Sequence, residues 1–274
     1  MTPAFELVIE PRKGWQPVDL REIWRFRELL GFLVWRDIKI RYKQTALGGL
    51  WAILQPLIAM VIFGALFSRV TGMKGDGSPY PLFVFAGLVP WNFFANAVGL
   101  ASNSLVGSEQ MIRKIYFPRI LVPLGTIFGL GLDMLISLAF MGLLMLYYHS
   151  HFSLSLLLLP ALICGTLLST AGLGLFLSAL NVQYRDVKYV VPFVTQMAFF
   201  LTPVLYPASR APGKLKILLI LNPMSGMVEG FRHALLGSEI SWQLVGISTG
   251  LSLFLFVAGL YFFRRMERTF ADTI

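Results

Sequence analysis

Six long apolar segments constrain this chain more than any other feature of its sequence. Most of them exceed the roughly 18 to 20 residues that a helix rising ~1.5 Å per residue needs to cross a ~30 Å hydrocarbon layer. Only 14% of the 274 residues are charged, whereas a soluble domain carries about 25%. The sequence therefore predicts an all-α, polytopic membrane protein with six transmembrane helices. The predicted spans are residues 48–67, 82–106, 120–147, 154–180, 189–206 and 242–263.

The positive charges predict how the chain is oriented in the membrane. Of 23 lysine and arginine residues, 17 lie before the first span, in the loops 108–119 and 181–188, and after the last span, while six lie in the opposite segments. Cytoplasmic segments carry the excess of Lys and Arg. We therefore expect a multi-pass protein of the cytoplasmic (inner) membrane with both termini in the cytoplasm. The net charge of +9 then indicates anionic lipid headgroups as partners, and not nucleic acid.

The segment before the first span forms its own part of the predicted organisation. Residues 1–47 are a cytoplasmic N-terminal segment, 48–263 the transmembrane domain and 264–274 a cytoplasmic tail. From Asp19 onward, basic side chains follow one helical stripe and apolar ones the remainder. This pattern predicts an amphipathic helix in the membrane interface, with Gly31 as the point where it could break. A soluble helical hairpin is the alternative.

Two short segments separate the fifth and sixth spans. Residues 214–221 are apolar, residues 226–237 are amphipathic, and Asn222 and Pro223 separate them. Neither segment is long enough to cross the membrane. They form either a re-entrant hairpin that enters from the outer face or two interfacial helices that lie flat. A re-entrant backbone must be covered by protein or line a water-filled cavity.

A polar strip runs along the second span. Asn92, Asn96, Gly99 and Asn103 are spaced four, three and four residues apart, which places them on one face of a helix. We predict that Asn92, Asn96 and Asn103 line a hydrated channel. The alternative is that they form hydrogen bonds between helices, which contribute only about 0.6 kcal/mol each in membrane proteins.

Asp133 is the acidic residue placed deepest in a predicted span. A charge there costs about 2.5 to 3.5 kcal/mol on insertion scales, so it must face protein or water. Gly125 and Gly129 precede it on the same helix face and permit close approach of another helix. This arrangement favours a buried structural role for Asp133 over a role in a proton relay.

The sequence contains no recognisable catalytic or metal-binding motif. Gly213 and Lys214 lack the flanking residues of a phosphate-binding loop. His149 and His151 have no nearby cysteine or acidic partner, so we expect no metal site. We therefore predict that the chain is not an enzyme and binds no cofactor. If it moves a substrate with ATP, another subunit must bind the ATP and Mg²⁺.

Six strings in the chain resemble the membrane subunits of type 2 ABC exporters for polysaccharides, in order and over nearly all of the chain after about residue 20. They are RDIKIRYKQTALGGLWAILQP (36–56), FAGLVPWNFFANA (85–97), SNSLVGSEQMIRKIYFPR (102–119), SALNVQYRDV (178–187), LTPVLYP (201–207) and LNPMSGMVEGFRHALLG (221–237). The resemblance implies a homodimer whose interface forms the channel, with a dimer of ATP-binding subunits on the cytoplasmic face. It also implies a lipid-linked O-antigen, capsular polysaccharide or wall teichoic acid as the substrate.

The same resemblance implies roles for two regions. The loop 108–119 would hold a coupling helix that docks on the ATPase, and the short helices after the fifth span would form an outer gate, with Glu229 and Arg232 as candidates. Interfaces are enriched in aromatic residues and arginine, so Tyr116 and Phe117 are the predicted anchors in the loop. The predicted coupling residues are Glu109, Arg113, Lys114, Tyr116, Phe117 and Arg119.

The predicted function is that of a channel-forming permease subunit that exports a lipid-linked polysaccharide, with O-antigen as the first candidate, across the inner membrane of a Gram-negative host. A type 2 ABC exporter of a drug or a small lipid would share this layout. An ion-coupled secondary transporter is a third possibility. The single deep acidic residue and the absence of an evident internal repeat argue against that third class.

Overall fold

The computed structural model describes residues 20–43, 48–70, 78–150, 153–267 and 270. Nearly all of them are helical, which confirms the prediction of an all-α polytopic membrane protein. Residues 1–19, 44–47 and most of the predicted tail lie outside the described residues. The helices are α1 Leu20–Arg25, α2 Arg27–Lys43, α3 Trp51–Val70, α4 Tyr80–Gly107, α5 Glu109–Lys114, α6 Leu121–Tyr147, α7 Leu159–Gln183, α8 Val187–Leu201, α9 Gly213–Leu221, α10 Pro223–Leu236 and α11 Trp242–Met266.

Within the described residues, five helices are long and apolar enough to cross a membrane, namely α3, α4, α6, α7 and α11. The predicted fifth span, 189–206, overlaps α8, which has 15 residues, begins at Val187 and ends at Leu201. Its end follows from Pro203, because a proline disfavours helical backbone at the residue before it, here Thr202. At ~1.5 Å per residue, α8 covers only about 22 Å. The count of six spans therefore stays a prediction.

The segment around α8 nevertheless runs the length of α4. At one end Asn181 Nδ2 donates to the Ser102 carbonyl at 2.9 Å. At the other end Tyr80 Oη donates to the Leu205 carbonyl at 2.8 Å. The chain from 181 to 205 thus returns along α4, first as a helix and then as an irregular turn. We call the end of the bundle with Ser102 the α5 end and the end with Tyr80 the α10 end.

Helix α4 forms the centre of the bundle. It packs against α3, α6, α7, α8 and α10, and its residues 82–91 are all buried. A helix that is apolar on every side is an interior helix. The outer helices pair through small residues: an added Cβ at Gly259 would lie 2.1 Å from the Gly172 carbonyl oxygen. Helices α7 and α11 therefore touch backbone to backbone, as small residues permit in membranes.

Of the two N-terminal helices, α2 packs lengthwise on α6. The helix is continuous through Gly31, so the break expected there is wrong; it lies instead at Phe26, between α1 and α2. A Cβ added at Gly31 would meet nothing within 4 Å, so no close approach requires glycine there. Leu33 is buried against Gly125 of α6. The opposite face of α1 and α2 exposes Trp24, Phe32, Trp35 and Ile40 together with basic side chains.

Helices α9 and α10 form a hairpin with Asn222 at its tip. Asn222 Nδ2 donates to Thr202 Oγ1 at 2.8 Å, and the Gly226 amide donates to Ser248 Oγ at 3.0 Å. Ser248 lies about 9 Å along α11 from its start at ~1.5 Å per residue. Farther along α10, an added Cβ at Gly230 would meet Leu162 near the start of α7. The tip of the hairpin thus packs against the turn after α8 and the first turns of α11. The choice between the re-entrant and the flat arrangement stays a prediction.

Candidate functional site

The α5 end contains the segment that was predicted to couple to an ATPase. Helix α5 has six residues, too few to be stable without tertiary support. Arg113 and Glu109 form an exposed ion pair at 2.8 Å, and Lys114 is exposed. Exposed pairs of this kind contribute little to stability. These charges are therefore accessible on the surface of the protomer.

The two predicted aromatic anchors lie in opposite environments. Tyr116 is 62% exposed, whereas Phe117 is 5% exposed and packs in a cluster with Ile112, Ile120 and Leu121. Ile115 has extended backbone and is 60% exposed. Of the two anchors, only Tyr116 is accessible to a partner. Ile115 is a further accessible apolar side chain that the sequence analysis did not select.

The remaining predicted coupling residue, Arg119, is bound within the chain. Its Nη1 donates to the Glu267 carbonyl at 2.8 Å, and its backbone amide donates to Glu267 Oε1 at 3.2 Å. A cleft of about 370 Å³ lies beside this segment, between Arg36 of α2 and residues 106–111. The segment is therefore held by Glu267 on one side, and its other side is accessible to solvent.

The predicted channel-lining residues share an accessible face of α4. Asn96 is exposed, and Asn92 and Asn103 are half-buried. Asn103 accepts a hydrogen bond from Asn181 Nδ2 at 3.1 Å. Its own amide donates to the Gly99 carbonyl at 3.0 Å. Asn103 thus serves the interhelical role considered as the alternative, while Asn96 faces outward from the protomer.

At the α10 end, Arg232 of α10 is buried to 2% exposure. Its guanidinium donates to the carbonyls of Phe83 at 3.1 Å and Pro203 at 2.6 Å, and also to those of Val204 and Tyr206. Its Cζ lies 3.6 Å from the centroid of the Phe83 ring. The planar fork of donors suits several acceptors at once.

The turn after α8 explains why a charged side chain is buried there. Residues 202–206 are not helical, so their carbonyls lack the partners that a helix would provide. Backbone at membrane depth requires such partners from protein or water. Arg232 supplies them, and Gly87 leaves the room for it, because an added Cβ there would lie 2.7 Å from Arg232 Nη2. Arg232 therefore joins α10, the turn and α4.

The second gate candidate, Glu229, lies at a cavity between the hairpin and the start of α11. The cavity measures about 400 Å³ and also contains Lys216 and Glu239. Glu229 is half-buried. The two candidates, three residues apart on α10, thus have different surroundings: one lies among carbonyls and the other at a polar cavity.

Asp133 binds two side chains of α2. It accepts a hydrogen bond from Arg41 Nη1 at 2.7 Å and another from the Tyr42 hydroxyl. Burial, together with the bond to Asp133, raises the pKa of Tyr42 to about 12. Asp37 of α2 also accepts from Thr126 Oγ1 at 2.8 Å. These contacts match the structural role favoured for Asp133; the sequence signal for its partners was the row of basic residues in α2.

Comparison with known proteins finds relatives that match most of this chain. The O-antigen export system permease protein RfbA of Myxococcus xanthus is 31% identical over 262 residues, which cover 93% of this chain and 98% of that protein. RfbA of Klebsiella pneumoniae is 28% identical over 248 residues, 90% of this chain and 95% of that protein. The polysialic acid transport protein KpsM of Escherichia coli is 27% identical over 237 residues, 80% of this chain and 89% of that protein.

The family model described as ABC-2 type transporter matches residues 28–236. This range extends from α2 through α10 and contains the α5 segment, the asparagine face and Arg232. The chain therefore belongs to the ABC-2 type transporter family.

Proposed function

We propose that this chain is the channel-forming permease subunit of an ABC transporter that exports a lipid-linked polysaccharide, with O-antigen as the first candidate, across the inner membrane. It acts as a homodimer, and a separate ATP-binding subunit, which holds ATP and Mg²⁺, supplies the energy. The observation that carries the proposal is the identity of 28% and 31% to two O-antigen export permeases over at least 90% of this chain.

The orientation assigns each end of the bundle to one side of the membrane. The excess of Lys and Arg lies in segments at the α5 end, so we assign that end and both termini to the cytoplasm. Ile115 and Tyr116, exposed beside charged residues, then face the cytoplasmic ATP-binding subunit. The α9–α10 hairpin closes the outer side.

The asparagine face of α4 supports a hydrated path. Asn96 is exposed in the protomer, and an uncharged amide can donate to and accept from sugar hydroxyls. We assign this face to the border of the channel in the dimer. A tryptophan in place of Asn96 is expected to block polymer export and to leave folding and dimerisation unchanged, as measured by export in cells and by light scattering of the purified protein. Loss of the dimer with a folded protomer would instead place Asn96 in a structural contact.

Reconstitution tests the proposed function directly. The permease and its ATP-binding subunit are incorporated into vesicles with lipid-linked polysaccharide on one side, and arrival of the polymer on the other side is measured with an impermeant glycosidase. We expect movement that requires ATP and ceases with a hydrolysis-deficient ATP-binding subunit. Transport of a small lipid or drug without polymer movement would contradict the proposed substrate. Transport by the permease alone under an ion gradient would contradict the class.

A further inference from the structure

The end of α11 holds the coupling segment in place by polar contacts. Glu267 accepts a hydrogen bond from the Arg119 amide through Oε1, and its carbonyl accepts from the Arg119 guanidinium. The other carboxylate oxygen of Glu267 pairs with Arg264 at 2.9 Å. One residue thus fixes both the backbone and the side chain at the point where the coupling segment enters α6.

Two phenylalanines add apolar support from the same side. Phe263 and Phe270 are fully buried, and their rings meet edge to face with centroids 5.4 Å apart. Both belong to the hydrophobic cluster that contains Ile112 and Phe117 of the coupling segment. Buried aromatic pairs of this geometry stabilise a fold beyond the burial of their apolar area alone.

These contacts matter because the segment has little structure of its own. Helix α5 ends at Lys114 and α6 begins at Leu121, so the exposed Ile115 and Tyr116 lie on non-helical backbone. Their direction depends on what holds Phe117 and Arg119. Helix α11 is itself fixed to the bundle by its close packing on α7 at Gly172, so it provides a rigid support.

We propose that Glu267 and Phe270, which follow the last residue of α11, are positioning residues that hold Ile115 and Tyr116 toward the ATP-binding subunit and so support the docking surface from within the protomer. This inference rests on the proposed function. Hot-spot side chains are effective when they are held in place before binding, because ordering them on association costs affinity. The end of α11 then contributes to affinity without contacting the partner.

The test uses the assembled complex and three variants. Glu267→Ala removes the carboxylate that accepts from the Arg119 amide and keeps the backbone carbonyl. Phe270→Ala removes the buried ring. Glu267→Gln keeps an oxygen that can accept from the Arg119 amide. Phe254→Ala is the matched control, because Phe254 lies on α11 and is 66% exposed. The measurements are the affinity of the ATP-binding subunit, cross-linking to it from a photoreactive residue at position 116, and the melting temperature of the permease alone.

We expect Glu267→Ala and Phe270→Ala each to weaken ATPase binding by about tenfold and to reduce cross-linking, while Glu267→Gln and Phe254→Ala resemble the wild type. Because Phe270→Ala can also lower the melting temperature, Glu267→Ala decides where the two differ. If Glu267→Ala binds and cross-links like the wild type while Tyr116→Ala binds weakly, the positioning role is wrong and the proposed docking surface stands. Wild-type binding by Tyr116→Ala as well would also remove the proposed docking surface.

Discussion

At the α10 end of the bundle a charged side chain, Arg232, is buried, whereas at the α5 end two large apolar side chains, Ile115 and Tyr116, are exposed. Both reverse the usual distribution of residues between interior and surface. At the α10 end the reversal satisfies carbonyls of the protomer's own backbone. At the α5 end, no other described residue of the chain buries Ile115 and Tyr116.

The difference indicates how each end is completed. The α10 end contains its own donors and acceptors: Arg232 closes the turn after α8, and Asn222 and Ser248 hold the hairpin tip. At the α5 end, Arg119 and Glu267 hold the coupling segment on one side. Ile115 and Tyr116 are exposed on the other side. The polar contacts of the α10 end are therefore completed within the protomer, whereas for the α5 end we propose that a second protein completes the surface.

The largest effect is expected at Arg232. Arg232→Met leaves the turn carbonyls of Pro203, Val204 and Tyr206 without this donor. Unsatisfied buried groups cost about 1 to 3 kcal/mol each, so the permease should lose about 3 kcal/mol of stability or more. Denaturation of the purified protein in detergent measures this. Arg210→Met is the control, because Arg210 is an exposed arginine at the same end. A stable Arg232→Met protein that fails to export would mean that Arg232 acts as a moving gate residue.

Close packing of the hairpin predicts the next effect. In Gly226→Ala, the new Cβ would lie 2.7 Å from the Leu244 carbonyl oxygen, a backbone atom that cannot move alone. Overpacking of this kind costs about 1 to 3 kcal/mol, which the same denaturation experiment detects. Gly246→Ala on α11 meets nothing within 4 Å and should change stability by less than about 0.5 kcal/mol. Equal stability of the two variants would argue against an inserted hairpin.

The smallest effect is expected between Asn103 and Asn181. Their hydrogen bond joins α4 to α7, and such bonds average about 0.6 kcal/mol in membrane proteins. A double-mutant cycle with alanine at both positions should give a coupling energy of about this size. The same cycle with Asn96 and Asn181 should give none. Coupling well above about 1.5 kcal/mol would place this pair among the principal contacts of the bundle.

The sequence predicted the parts of the fold that depend on composition and period. Apolar length alone located α4, α6, α7 and α11 to within a few residues, because the bilayer sets a minimum length for a span. The hairpin was one of two arrangements left open, since its two segments are short whether they insert or lie flat. Pro203 indicated that the helix in the fifth predicted span would end before residue 206, but the prediction extended the span to that residue.

The contacts between distant parts of the chain could not be predicted. Asp133 required a partner, and the basic residues of α2 were candidates, but the sequence did not single out Arg41 and Tyr42 among the side chains of that helix. Tyr116 and Phe117 are adjacent aromatics, and only the tertiary cluster decides which is buried. Arg232 was selected as a gate candidate by resemblance. Its burial depends on carbonyls of the turn after α8 and of α4, which the sequence does not bring together.

Binding of the ATP-binding subunit to Tyr116→Ala tests the central claim most directly. Tyr116 is 62% exposed, so its removal should leave the melting temperature of the permease unchanged. As a hot spot it should contribute about 2 kcal/mol, so its removal should raise the Kd for the ATP-binding subunit about 30-fold. Tyr147→Ala, at a tyrosine that is 77% exposed at the opposite end of the bundle, should bind like the wild type. If Tyr116→Ala also binds with wild-type affinity, the α5 end is not the docking surface.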